Sequence, residues 1–303
     1  MAELRDTYVK TPRDTLFDDH FNRLLKCGHD GSFVADPVLF TNGTETRGVA
    51  LIDGPGGGKT SLVDHALRVH PAFIAPPPGT KPVIKVRVPS PATLKSLALE
   101  ILAESGYPEV SKRRERWMLW QLVRARIKAL GTVVIWIDEA HDLFRSGKAT
   151  ETYDILNTLK SLMQSEVGVI VILSGIEDLW QIASYDDQVK RRFTKLSFPP
   201  LSNAKDGKPI ASQIERFCQR AGLLPPVETD LVPRLIFASY EMFGRCIENM
   251  LNAIEVALNA GATQLDAQHF ARAWAMQEGC PPQLNVFLAP RWSEINRSGF
   301  QAS

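Results

Sequence analysis

GVALIDGPGGGKT, residues 48–60, decides the fold. A short buried-strand pattern, Gly48 to Ile52, runs into a glycine-rich loop and then into a helical pattern from Lys59 to Val69. A loop between strand and helix can turn its backbone N–H groups inward around a polyphosphate, because glycines carry no side chain to obstruct them. Gly54, Pro55, Gly56, Gly57 and Gly58 form that loop. Lys59 is placed to reach the β- and γ-phosphates of ATP and Thr60 to ligate Mg²⁺, with Ser61 beside them. The pattern GxxxxGK[ST] is met except at its first position, where Asp53 stands and Gly54 follows one place later. The other reading is a glycine-rich turn that binds nothing. The strand–loop–helix context favours the phosphate cradle.

Downstream, VVIWIDE (Val133 to Glu139) is a continuous apolar strand ending in two acids, as parallel sheets covered on both faces require. Asp138 is placed to hold Mg²⁺ through water, and Glu139 to orient and polarise the attacking water. Alone, such a strand end is more simply a capped helix start; the P-loop upstream reverses that preference. Asp138-Glu139-Ala140-His141 also spells a helicase box, but only a largely helical segment follows, with no second RecA-like domain. His141 is expected at a helix start.

Around these motifs, strand and helix patterns alternate. Residues 14–26 place Leu16, Phe17, Phe21, Leu24 and Leu25 on one helical face. The proline-rich segment His70 to Pro82 is a loop, Val83 to Val88 a strand, and Thr93 to Glu104 and Arg114 to Leu130 helices. Ile155 to Met163 is helical and Val169 to Leu173 another buried strand. Crossovers of βαβ length imply an α/β fold with a three-layer parallel sheet. After Pro199-Pro200, residues 210–221, 228–240, 244–260 and 266–277 carry only helical periodicity. The expected organisation is an N-terminal helical segment and linker over 1–47, a P-loop core over 48–200, an all-helical lid over 201–280 and a tail over 281–303.

Composition is that of a soluble globular protein, with 44% apolar and 23% charged residues and a net charge of +1. No global basic field advertises nucleic acid, so any DNA contact must be local. Cys27, Cys218, Cys246 and Cys280 form no CxxC pair, which argues against zinc or thioredoxin-like chemistry. The polar, charged start and the lack of a membrane-spanning apolar run lead to the expectation of a reduced, cytosolic protein.

Three further features admit two readings each. Ser174-Gly175, at the end of the strand VIVIL, either contacts the γ-phosphate or lytic water, or is a plain turn. Arg191 and Arg192, within KRRF, are either fingers reaching a neighbouring subunit's γ-phosphate or a solvated basic helix end. Arg245, after Gly244, either bridges the lid to the nucleotide or is an exposed helix arginine.

Together these features resemble the AAA+ superfamily over about residues 14–277. VRVPSPATLKSLALEILAESGYP (residues 86–108), WIDEAHDLF and LSGIEDL are similar to the TnsC/TniB/MuB group of transposition regulators. That resemblance implies ATP-dependent rings or filaments on duplex DNA, recruitment of a transposase with a target-selection protein, a bacterial cytoplasmic setting, and disassembly controlled by hydrolysis. It also implies DNA contacts between the second strand and the DE motif, where Lys95, Lys112, Arg113, Arg114 and Arg116 lie. Independently, KRRER is the densest basic run in the chain, suited to phosphate contacts, although such a run is also what a solvated helix start looks like. Secretion ATPases and IstB-like helper ATPases share parts of these motifs, and the alternative is an AAA+ ATPase of a secretion or signalling system acting on a protein partner. A scaffold without turnover is disfavoured by Glu139.

Overall fold

The computed structural model describes residues 1–145, 149–184 and 186–297. In chain order its elements are α1 (Ala2–Arg5), α2 (Pro12–Asn22), β1 (Leu25–Cys27), β2 (Phe33–Pro37), β3 (Gly48–Ile52), α3 (Lys59–Val69), β4 (Val83–Arg87), α4 (Leu94–Glu104) and α5 (Arg116–Leu130). Then follow β5 (Val134–Asp138), a 3-10 turn (Ala140–Phe144), α6 (Ala149–Met163), β6 (Ile170–Gly175), α7 (Glu177–Ala183), α8 (Asp187–Lys190) and β7 (Phe193–Ser197). Helices α9 (Asn203–Ala221), α10 (Leu231–Ala238), α11 (Phe243–Asn259) and α12 (Ala267–Glu278) complete the chain's regular structure, followed by two short 3-10 turns. Two compact units result. One holds Lys10–Gly54 and Lys59–Phe198; the other holds Met1–Val9, Pro55–Gly58 and the chain from Pro199 onward.

The first unit is built on a five-stranded parallel sheet, ordered β4-β5-β6-β3-β7. All five residues of β3 are buried, as are those of β5. Alternation divides them between two apolar layers. Val49 and Leu51 pack with Val63 and Leu67 of α3, with Trp136, and with Phe17 and Phe21 of α2. Ala50 and Ile52 belong to the layer of Leu97, Ile101, Val123, Ile127, Leu156 and Leu159. Gly48 must be glycine: a Cβ there would lie 2.2 Å from the Val171 carbonyl oxygen. Helix ends follow local chemistry. Thr93 Oγ1 accepts from Ser96 N (3.0 Å) to start α4, and Gly131 in the left-handed region closes α5.

The second unit is all-helical among its described residues. Ile210, Ile214, Phe217, Leu235, Met250, Ile254, Phe270 and Trp274 form its core, and Leu4 of α1 packs into the same cluster.

Several expectations are corrected. The helix expected over 14–26 ends at Asn22; Leu25 instead starts a strand of the β1–β2 hairpin, and Leu16 is exposed. The helix expected from Arg114 starts at Arg116, because residues 112–114 turn first. Strand β7 was not legible: Phe193 and Leu196 are its only buried residues, too few to make a period. The expected 1–47 segment is divided, its first nine residues clustering with the helical unit. Residues 298–303 of the expected tail lie outside the described residues.

Candidate nucleotide site

The carboxyl ends of β3, β5 and β6 gather the chemistry, as the topology of an open parallel sheet dictates. The loop leaves β3 with Asp53 N donating to the Gly175 carbonyl at 3.1 Å. Gly56 (φ 78°) and Gly58 (φ 95°) adopt left-handed conformations that side chains resist. Gly56 O accepts from Arg245 N at 3.0 Å. Gly244 permits that approach, since a Cβ on it would lie 2.4 Å from Gly56 O. Arg245 is half-buried, its guanidinium 4.7 Å from the centre of the Tyr240 ring.

Lys59 is buried at the first turn of α3, and its Nζ donates to Asp53 O (2.8 Å) and Gly54 O (3.0 Å). Thr60 Oγ1 donates to Asp138 Oδ2 at 2.8 Å. Ser61 is exposed in the same turn. A helix N-terminus favours anions, and a hydroxyl beside a carboxylate is a hard-oxygen pair suited to Mg²⁺. Glycine at 54, 56, 57 and 58 leaves those loop positions without Cβ atoms. These residues therefore fit a Mg²⁺–nucleotide.

Asp53, the departure from the P-loop pattern, has its own partner. Its Oδ2 lies 3.2 Å from Arg13 Nη1, with both side chains largely buried, and its Oδ1 accepts from Gly54 N at 2.8 Å. An acid beside an anion cradle needs such a cation. Sequence reading did not identify Arg13; the acid at a glycine position was the available signal.

Asp138 Oδ1 accepts from Ser174 Oγ (2.6 Å) and from Glu139 N (3.1 Å). Glu139 is in the left-handed region (φ 54°), a conformation costing a non-glycine residue on the order of 1 kcal/mol. That turn starts the 3-10 segment and leaves the carboxylate partly exposed, 3.4 Å from His141 Nδ1. The expectation that Ser174 meets phosphate or water is corrected: it is fully buried behind Asp138, with its proton given to that carboxylate.

The two arginines divide. Arg192 is buried and its guanidinium clamps Glu45 Oε2, with Nε at 2.7 Å, so its reading as a finger is corrected to a structural ion pair. Burial pushes the Glu45 carboxyl up, but the Thr41 hydroxyl and Arg192 outweigh it and hold it below the usual glutamate range. Arg191 is exposed and touches the same oxygen at 3.2 Å. Of the five basic residues, Lys95 is half-buried on α4, while Lys112, Arg113 and Arg114 are exposed in the turn before α5. Arg116 is exposed and 2.9 Å from the Asp154 carboxylate. Arg116 shares a groove of about 370 Å³ with Leu94, the neighbour of Lys95, and with Trp117 and Trp120.

The class follows from the strand order and from what the carboxyl edge carries: the chain has the P-loop fold of the AAA+ type. Within that class the chain belongs to the bacterial TniB family, which it matches over residues 40–203. Among curated proteins it is similar to the GTPase Der of Chlorobaculum tepidum, 26% identical over 167 residues that make up 55% of this chain and 35% of Der. The chain thus spans about a third of the length of the curated relative it matches. Among solved structures it is similar to the ORC2 protein of Aeropyrum pernix, solved in ADPNP–ADP complexes (TM-score 0.61, 16% identity, 92% of this chain and 72% of that one). It is also similar to A. pernix ORC1, solved in complex with DNA (TM-score 0.57, 18% identity, 78% and 61%). No helix among the described residues is long and apolar enough to cross a membrane.

Arg13→Ala is expected to weaken nucleotide binding about tenfold, because the Asp53 carboxylate is left uncompensated beside the phosphate cradle. Asp53→Gly in the same chain should recover most of the loss. Titration with a fluorescent nucleotide checks both; wild-type affinity in Arg13→Ala would remove Arg13 from the site.

Proposed function

We propose that this protein is an ATP-hydrolysing regulator of DNA transposition that oligomerises on duplex DNA and recruits a transposase with its target-selection partner. Membership of the TniB family is the observation that carries this reading. Two structural features support it: the assembled phosphate cradle, and an exposed basic turn in a chain of net charge +1.

In this reading Gly54 to Gly58 wrap the phosphates of ATP, Lys59 pairs with the β- and γ-phosphates, and Thr60 and Asp138 hold Mg²⁺. Bound Mg²⁺ neutralises charge on the phosphate oxygens during transfer. Glu139 orients the attacking water and takes its proton. Arg245 bridges the helical unit to the nucleotide. Arg191, which keeps an exposed guanidinium, is the finger offered to a neighbouring subunit.

Lys95 and Lys112 to Arg116 track the DNA backbone. Phosphate contacts carry no sequence information, so binding is largely sequence-independent. One subunit supplies few contacts; repetition along an oligomer multiplies them, so affinity depends on ATP through assembly. Each phosphate neutralised contributes about 0.9 log unit of affinity per tenfold change in salt. Reversing charge at Lys95, Arg113 and Arg114 is expected to abolish DNA-stimulated assembly and to leave nucleotide affinity intact. Polarisation titrations on labelled duplex across a salt series test this. DNA affinity absent in the wild type, or unchanged in the triple variant, would favour a protein partner instead.

A further inference from the structure

Lys85, Trp136, Asp138 and Ser174 belong to the layer of the sheet that α3 covers. Trp136 is 1% exposed and Ser174 0%, far from water for an indole N–H and a hydroxyl. Buried polar groups need partners, and these two find each other: Trp136 Nε1 donates to Ser174 Oγ at 2.8 Å. An indole N–H can only donate. The serine oxygen therefore accepts it, and the single serine proton goes to Asp138 Oδ1 at 2.6 Å. The direction of the chain, Trp136 to Ser174 to Asp138, is set by the one member that cannot reverse. Glu139 N also donates to Oδ1, while Oδ2 takes Thr60. The carboxylate is thereby held in one rotation, with Oδ2 presented to the phosphate loop.

The indole is itself pinned. Lys85, its direct partner across the β4–β5 ladder, sets Nζ 4.5 Å from the ring centroid and 2.7 Å from Asp64 Oδ1 on α3. The chain of contacts leaves α3 at Asp64 and returns to it at Thr60. The Lys85–Asp64 end is solvent-exposed, whereas the Trp136–Ser174–Asp138 bonds are buried, and in a low-dielectric setting such hydrogen bonds are strong and polarise one another.

We infer that Trp136 is a positioning residue for the Mg²⁺-holding acid, acting through Ser174 to fix the rotation of Asp138. This rests on the Mg²⁺–nucleotide reading above. Without the indole N–H, the Ser174 proton can turn to another acceptor and the Asp138 carboxylate loses its fixed rotation. Nucleotide contacts made by the loop and Lys59 are untouched.

The test is affinity for a fluorescent non-hydrolysable ATP analogue, measured in EDTA and across a Mg²⁺ titration. Trp136→Phe and Ser174→Ala are each expected to raise the half-maximal Mg²⁺ concentration about tenfold, as loss of an outer partner of a metal ligand does, with affinity in EDTA unchanged. Ser174→Thr, which keeps the hydroxyl, should restore most of it. The Trp136→Phe/Ser174→Ala double variant should be no worse than Ser174→Ala alone, because both remove the same chain. If Trp136→Phe does not fold, Trp136→benzothienylalanine keeps the ring shape while removing the N–H and gives the same comparison. Mg²⁺ dependence unchanged in the Trp136 variants, or additive losses in the double variant, would overturn the inference. A wild-type protein whose nucleotide affinity ignores Mg²⁺ would instead overturn the Mg²⁺–nucleotide reading itself.

Discussion

Lys59→Ala is expected to lower ATP affinity by about 100-fold or more, since each charge-assisted hydrogen bond to phosphate contributes about 1.5–3 kcal/mol and about 1.4 kcal/mol is a factor of ten. The side chain is buried at the head of α3, where its ammonium donates to two carbonyls of the loop. Truncation removes the only lysine of the loop and leaves the glycine backbone intact. The loss should therefore fall on binding, with the thermal melt of the unliganded protein little changed. Equilibrium titration with a fluorescent ATP analogue reads it directly. Wild-type affinity in the variant would mean that the loop binds no phosphate.

Glu139→Gln should behave in the opposite way: ATP binding intact, kcat reduced about 10²–10⁴-fold. Glutamine keeps the shape of the side chain and can occupy the same left-handed position, but it cannot take a proton from water. The carboxylate is partly exposed and separate from the buried Asp138 network, so the substitution should not disturb Thr60 or Ser174. Assemblies formed in ATP should persist longer. Single-turnover phosphate release with a parallel binding titration separates the two quantities, and unchanged turnover would move the general base elsewhere.

The parts of the molecule that were legible in the sequence share a physical reason. Strands β3, β5 and β6 are buried on both faces, so they appear as unbroken apolar runs, and the P-loop glycines are demanded by backbone geometry at fixed spacing. Strand β7 lies at an edge of the sheet and needs few apolar residues, and the β1–β2 hairpin strands are three and five residues long. Neither writes a period. Pairings across long separations were equally hidden. Nothing local to Arg192 distinguishes a guanidinium destined for Glu45 from one offered to a neighbour. Ser174 looked like a free polar strand end because its acceptor on one side and donor on the other sit on a different strand. Asp53 left a visible sign, an acid at a glycine position, but nothing local to it names Arg13 as its partner.

In the proposed function, ATP drives this protein to assemble on duplex DNA. Electron microscopy of wild-type protein with labelled duplex, in ATP, in ADP and without nucleotide, tests it most directly. Rings or filaments threaded by DNA in ATP alone, lost on moving to ADP, are the expected result. Assembly that is indifferent to DNA, or to the nucleotide, would contradict the claim.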